Sequence, residues 1–403
     1  MSSRRRHIQL TPLVEAQRLF FDAVEELGFF ATQEELIPVR QALGRVTSRP
    51  HRAARAVPHY RSAAMDGIAV CAEQTRAASQ SSPLTLRAPK DFAWVNTGDP
   101  ISEPFDAVIM VEQVTELEAG VVQISQPAVA GKNVRAVGED FQDEETIVPA
   151  HYRITPEAIA ALLSGAVYSV WVKRRPRALY IPTGSELAPP EEELQPGQIA
   201  ETNSSIVTGY LTCWGAEVDV GARVSNDQAE LKSALLEAVA RFDLVLVGGG
   251  TSMGRDDLTP TVVADVGRVI VHGVAYHPGH PLLLGCIGHK PVIGLPGYPV
   301  AVWISLRLFL KPMLERYWGL PSEPAVYVEG RLAEPIKSAG GAVQFIRVRL
   351  EPDGDGWRVF KLPGGASRLS SVLRAHGLLE IPADVESLPA GASVQVLLLR
   401  PPA

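Results

Sequence analysis

Three cysteines, Cys71, Cys213 and Cys286, are spread over 403 residues and form no C-x-x-C pair. That spacing argues against a disulfide framework or a structural zinc site and suits a reducing compartment. No run approaches the ~18 apolar residues of a membrane-spanning helix. Arg4-Arg5-Arg6 is followed by the polar, proline-bearing Thr11-Pro12 rather than the ~7–15 apolar residues of a secretory signal. The expected location is therefore the cytoplasm, with no membrane partner. Basic charge is not in excess, since 38 Lys+Arg against 45 Asp+Glu leave a net charge of −7, and the chain as a whole lacks the electrostatic footprint of a nucleic-acid binder. Internal repeats and long low-complexity tracts are also absent. What is present, 46% hydrophobic and 21% charged residues, is the balance of an ordinary globular protein with room for about two to four domains.

Residues 11–28 read as an amphipathic helix, with Thr11 as cap, Pro12 at the first helical position, and Ala16, Leu19, Phe20, Ala23, Val24 and Leu27 on one face before Gly28. From Pro50 to about Thr146 the helical period vanishes. Short strand-like runs such as 107–111 and 121–124, broken by glycine and proline, predict a mostly β region. A helix is predicted over 155–164, and the Arg/Pro-rich 173–177 reads as a boundary. Residues 177–320 alternate strand and helix: strands at 178–181, 217–220 and 243–247, helices at 204–214 and 227–241, and a long helix from Pro299 to Trp318 kinked at Pro312. Crossover helices between strands imply a parallel sheet with ligands at its carboxyl edge. The last stretch turns all-β, with alternation over 343–350, a turn at Asp353-Gly-Asp-Gly356 and a final strand at 394–399, which predicts a small closed barrel.

The most chemical local signal is the strand ending in Gly248-Gly249-Gly250-Thr251-Ser252-Met253-Gly254-Arg255-Asp256-Asp257. Glycines there let backbone N–H groups face an anion. A P-loop would place Lys and Ser/Thr where Arg255 and Asp256 stand, and a dinucleotide fingerprint would need glycine at Met253, so neither an NTPase nor an NAD enzyme is indicated. Further candidates are the His277-Pro278-Gly279-His280 turn, Leu295-Pro296-Gly297-Tyr298-Pro299, and Thr183-Gly184-Ser185-Glu186 at a strand's carboxyl edge. Earlier in the chain come Met65-Asp66-Gly67, Asn96-Thr97-Gly98-Asp99, and Asn133-x-Arg135 running on to Gly138-Glu139-Asp140. Each alone could be an ordinary turn. Arg135 beside two acids adds a fork for an oxyanion and carboxylates for a metal or proton transfer.

In this order, with Asp106-Ala-Val-Ile-Met-Val-Glu112-Gln113 between them, these patches are similar to those of the MoeA family of molybdopterin molybdenumtransferases, to which the E domains of gephyrin and its plant counterpart are related. The resemblance spans about residues 11–399. It implies a multidomain α/β plus β fold: a MogA-like α/β domain with a parallel-rich sheet over 174–322, a mostly β domain over 51–145, an extended helical linker domain from 1–50 and 146–173, and a small C-terminal β-barrel over 323–403. It also implies insertion of molybdate into adenylylated molybdopterin with release of AMP, by a homodimer whose cleft is shared between subunits, with a molybdopterin adenylyltransferase as a possible upstream partner.

Carried over by motif, Asp66, Asp140 and Glu186 become the catalytic acids. Arg135, Thr97, Gly249, Gly250, Ser252, Gly254, His277, His280, Pro296 and Gly297 become substrate contacts, and Asp257 the Mg²⁺ ligand. The chain departs from the family where Lys-Pro-Gly-Lys reads His277-Pro278-Gly279-His280, which exchanges permanent cations for groups of ordinary pKa about 6.5 and predicts weaker anion binding. Ser185, Glu201, Asn226 and Tyr298 also replace the usual residues. Two alternatives share these motifs: a non-catalytic protein that binds or senses molybdopterin or the finished cofactor, and a tungstate-selective transferase.

Overall fold

The computed structural model describes residues 10–252, 258–321, 324–338 and 340–402. The chain divides into two compact units, one formed by the N-terminal segment to Gln33 together with Arg174 onward, the other by Glu34–Lys173. The first helix, α1 (Leu13–Glu26), buries Ala16, Phe20 and Val24 as its periodicity predicts. Its start differs from expectation. Thr11 and Pro12 are extended and pair in parallel with Val274 and Ala275, and Pro12 itself is the cap residue without a side-chain bond. The Thr11 N–H donates to Gly273 O at 3.0 Å, so a tertiary ladder takes the group that a local cap would have left free.

The 34–173 unit is built from short strands. Gly67–Val70 lies between Phe92–Val95 and Ala107–Met110, and Val121–Ile124 between Leu84–Arg87 and Val114–Glu118, all antiparallel. Ile68, Val70, Phe92, Val122 and Ile124 form their common core. A second core gathers Val39, Ile154, Leu162, Val170 and Val172 around α2 (Pro156–Ser164), whose cap is Thr155, with its Oγ1 accepting from Ala158 N at 3.2 Å.

In the other unit a six-stranded sheet runs in the order Glu217–Val220, Arg177–Pro182, Leu244–Gly248, Lys290–Leu295, Leu283–Ile287, Arg268–His272. The first four are mutually parallel, and Leu283–Ile287 runs antiparallel to both of its neighbours. The sheet is parallel-rich as expected, and its parallel run stops where Gly288, at φ +57°, turns the chain straight back into a hairpin instead of a crossover. Helices α3 (Asn203–Cys213), α4 (Gln228–Arg241) and α5 (Thr259–Val266) flank it, and Leu231, Leu235, Val262 and Val263 pack on Val245, Val247, Leu283 and Val292. Each such fully buried side chain contributes roughly 1.5–3 kcal/mol.

The long helix divides into α6 (Pro299–Ser305), a π turn at Leu306–Leu310 and α7 (Lys311–Trp318). Pro312 has no N–H to offer the Leu308 carbonyl. Gln17 Nε2 of α1 donates to that carbonyl instead, at 2.8 Å, so the break expected at Pro312 is spread over the preceding turn. Beyond it, Tyr327–Leu332, Val343–Asp353, Gly356–Lys361, Gly377–Ile381 and Ser393–Leu398 close a five-stranded barrel, because Val343–Asp353 pairs with both Gly356–Lys361 and Gly377–Ile381. The short strand Val274–His277 joins this barrel in parallel, putting His277 opposite Gln344.

Candidate functional site

Three parallel strands end level with one another, Pro182 beside Gly248 and Gly248 beside Leu295. The loops that follow, Thr183-Gly184, Gly249 to Ser252 and Pro296-Gly297, therefore emerge side by side. They open into a cavity of ≈ 1120 Å³ whose remaining walls are Glu201–Asn203 at the start of α3, the His277–His280 turn, and Gln344–Arg347 with Lys361 of the barrel. A carboxyl edge facing a barrel wall is the position expected for ligand in such a sheet.

The glycine turn is held from outside. Gly249 and Gly250 take φ +93° and +63°, the left-handed region that glycine enters at no cost. The carbonyls of Gly248, Gly249, Gly250 and Thr251 accept from Thr183 Oγ1 (2.9 Å), Thr259 Oγ1 (3.3 Å), Thr259 N (3.1 Å) and His272 Nε2 (2.9 Å) respectively. Among the described residues no oxygen accepts from the N–H groups of Gly250 or Thr251. With its carbonyls occupied, the turn presents amides, as an anion-binding nest requires. Beneath it lies Tyr180, 1% exposed, its hydroxyl so close to Gly248 that a Cβ there would stand 1.9 Å away. Burial and the neighbouring Glu201 carboxylate push that phenol well above its ordinary range. Asn203 Nδ2 donates to Gly297 O at 2.8 Å. The Glu186 carboxylate folds back over Gly184 into space a side chain would fill, 2.6 Å from where its Cβ would be.

Across the cavity Arg347 is 5% exposed. Its guanidinium donates to Ser371 Oγ (3.1 Å), Phe345 O (3.3 Å) and Gly365 O (3.1 Å). Among the described residues no carboxylate pairs with it, and burial lowers its pKa. His277 and His280 face each other with ring centroids 5.2 Å apart. Burial lowers the pKa of both, and that of His280 is lowered further by His277.

Glu186, Gly249, Gly250, Ser252, His277, His280, Pro296 and Gly297 thus line one cavity. Gly254 and Asp257 lie outside the described residues. Thr97, Asp66, Arg135 and Asp140 belong to the 34–173 unit. There Asp66 Oδ1 accepts from Thr97 N at 2.6 Å and Thr97 Oγ1 at 2.9 Å, and these bonds hold its carboxyl below the usual range. Arg135 pairs with Ser62 on adjacent short strands, and Ala64 N donates to Asn133 O and Gly98 N to Ala63 O. The patches around Asp66, Thr97 and Arg135 are consequently laced into one surface. Arg135 makes an exposed ion pair with Glu139 at 3.6 Å, and Asp140 is exposed with its N–H donated to Val57 O. The sequence motifs did not single out Arg347, Tyr180 or Lys361 as site residues. Arg347 sits in an alternating strand where nothing local separates it from Arg349.

Residues 11–165 match the MoeA N-terminal region (domain I and II), residues 180–316 a "probable molybdopterin binding domain", and residues 329–399 the MoeA C-terminal region (domain IV). A Mycobacterium tuberculosis protein, molybdopterin molybdenumtransferase 2, is 31% identical, with 89% of this chain and 94% of that protein covered. A Haemophilus influenzae molybdopterin molybdenumtransferase is 32% identical over 72% of this chain and 74% of its own. The molybdopterin biosynthesis MoeA protein from Pyrococcus horikosii superposes with a TM-score of 0.81 at 31% identity, covering 98% of this chain and all of that one. With both the folded architecture and the ordered motifs matched, the chain belongs to the MoeA family, transferases of molybdenum cofactor biosynthesis.

Proposed function

We propose that this chain inserts molybdate into adenylylated molybdopterin with release of AMP. The observation that carries this reading is Arg347, a buried guanidinium bonded only to neutral oxygens. A desolvated cation without a counter-ion is costly, and an oxyanion entering the cavity supplies the missing charge. The amides of the glycine turn suit a second anion, the substrate phosphate. Two separated anion grips in a cavity of ≈ 1120 Å³ fit a nucleotide-bearing substrate together with a metal oxyanion. Glu186 at the rim accepts or returns the proton of the attacking oxygen, and Asp66 and Asp140 serve the same centre from the 34–173 unit of a second copy. Thr97 keeps Asp66 ionised. Arg135 adds an anion contact, and Pro296 and Gly297 shape the wall beside Asn203.

Mg²⁺, when bound, neutralises charge developing on the phosphoanhydride. Among the described residues no three carboxylate, imidazole or thiolate groups converge as a cage. That fits an ion held through one or two carboxylates, with substrate phosphates and water completing its shell. Glu186 and Glu201 line the cavity, and Asp257 is a further candidate.

Purified protein incubated with adenylylated molybdopterin, molybdate and Mg²⁺ is expected to release AMP. Tight pterin binding with no AMP above background overturns the transferase reading. Mixing inactive Asp66→Asn and Glu186→Gln chains tests the shared cleft, since random pairing restores about a quarter of the sites; no recovery from exchanged subunits overturns it.

A further inference from the structure

We propose that His277 and His280 make oxyanion binding in this cavity proton-linked: the pair takes up a proton as the anion enters, so the grip tightens as pH falls. The inference rests on the reading of the cavity as an anion site. The two rings stand 5.2 Å apart at 69° on a turn that holds them in place. Val274 N donates to His280 O at 2.9 Å, closing the turn. Gly279 sits so close over the buried Tyr276 ring that a Cβ there would be 2.5 Å from it, and the Tyr276 hydroxyl is tied to Ser305 Oγ at 2.7 Å. The backbone carrying the pair is therefore held in place.

The groups facing it offer no alternative counter-charge. Gln344, in register with His277, is neutral, and the barrel wall contributes the cations Arg347 and Lys361. Glu186 and Glu201 line the same cavity, yet among the described residues no carboxylate is within ion-pair distance of either imidazole. Burial, with His277 also acting on His280, disfavours the imidazolium. A bound tetrahedral oxyanion reverses that balance. The sign follows: the free-state pKa is low, the bound-state pKa higher, and between the two the dissociation constant rises with pH, by at most about tenfold per pH unit for one proton. One proton rather than two is expected, because neighbouring rings this close titrate as a pair. Imidazole is also the side chain whose ordinary charge change falls between pH 5 and 8.

The anion is either free molybdate or the phosphate of the nucleotide. Calorimetric titration with sodium molybdate and, separately, AMP, from pH 5.5 to 8.5 in two buffers of different ionisation heat, reads affinity and proton uptake together. Wild type is expected to weaken at least about fivefold from pH 6 to 8 with uptake of about one proton. H277Q/H280Q should bind weakly and H277K/H280K tightly, both without that slope. AMP's own phosphate titrates, so the glutamine variant supplies the baseline for that arm. Linkage in the molybdate arm assigns the pair to the free oxyanion, and linkage in the AMP arm alone assigns it to the nucleotide phosphate. A flat wild-type profile in both arms, or a slope that survives in both double variants, overturns the proposal while the anion site stands. Failure of wild type and the lysine variant to bind either anion at any pH overturns both.

Discussion

A methyl group at position 248 has no room. Built on the Gly248 backbone, its carbon would lie 1.9 Å from the Tyr180 hydroxyl, 2.5 Å from Cζ and 2.8 Å from Cε2. Ordinary carbon contacts sit near 3.5–4.0 Å, so roughly 1–2 Å must be absorbed. Gly248 is laddered between Pro182 and Leu295, and Tyr180 is fully buried. The displacement therefore falls on the ring or on the glycine turn that follows. Gly248→Ala is expected to cost about 1–3 kcal/mol of stability as overpacking, and AMP release should fall about 10²-fold if the turn shifts by an ångström. The partner of the clash is identifiable. Tyr180→Phe removes only the hydroxyl and leaves the 2.5 and 2.8 Å contacts, so it should not rescue the alanine variant. Tyr180→Val removes the ring and should, with a favourable coupling of about 1–2 kcal/mol in the double-mutant cycle. Denaturant unfolding and AMP release on the four variants measure both quantities. An alanine variant within about 0.5 kcal/mol of wild type, or rescue by phenylalanine as good as by valine, refutes the packing argument.

Two other outcomes follow from named contacts. Arg347→Met removes the buried cation and one charge-assisted bond of about 1.5–3 kcal/mol, so molybdate affinity should drop about 10- to 150-fold; Arg347→Lys should recover only part, because an ammonium cannot hold Ser371, Phe345 and Gly365 with one planar fork. Equilibrium binding decides it, and unchanged affinity in the methionine variant removes Arg347 from the site. Thr97→Val deletes one of the two bonds that favour the Asp66 carboxylate, so the Asp66 pKa should rise and the acidic limb of the AMP-release profile should move to higher pH. Thr97's backbone N–H preserves part of the effect. An acidic limb that stays in place argues that Asp66 does not govern it.

Much of the architecture was legible because it is local. Strand then glycine run at 244–250, the helix over 155–164, the Asp353–Gly356 turn and the proline break at 312 are each written in a few adjacent residues, where backbone sterics and missing donors act over one turn of chain. The ordered motifs likewise name a family without any distance being known. Tertiary structure alone decided that Thr11 enters a ladder instead of capping a helix, that Gln17 serves the Leu308 carbonyl, and that Val274–His277 joins a barrel strand with His277 opposite Gln344. It also distinguished Arg347 from Arg349, one buried and bonded to neutral oxygens, the other exposed and paired with Glu351. Hydrophobic period and turn chemistry are properties of neighbours in sequence. Whether a charge is buried and unpaired depends on what the fold packs against it from other elements, and on that desolvation the proposed chemistry of this site rests.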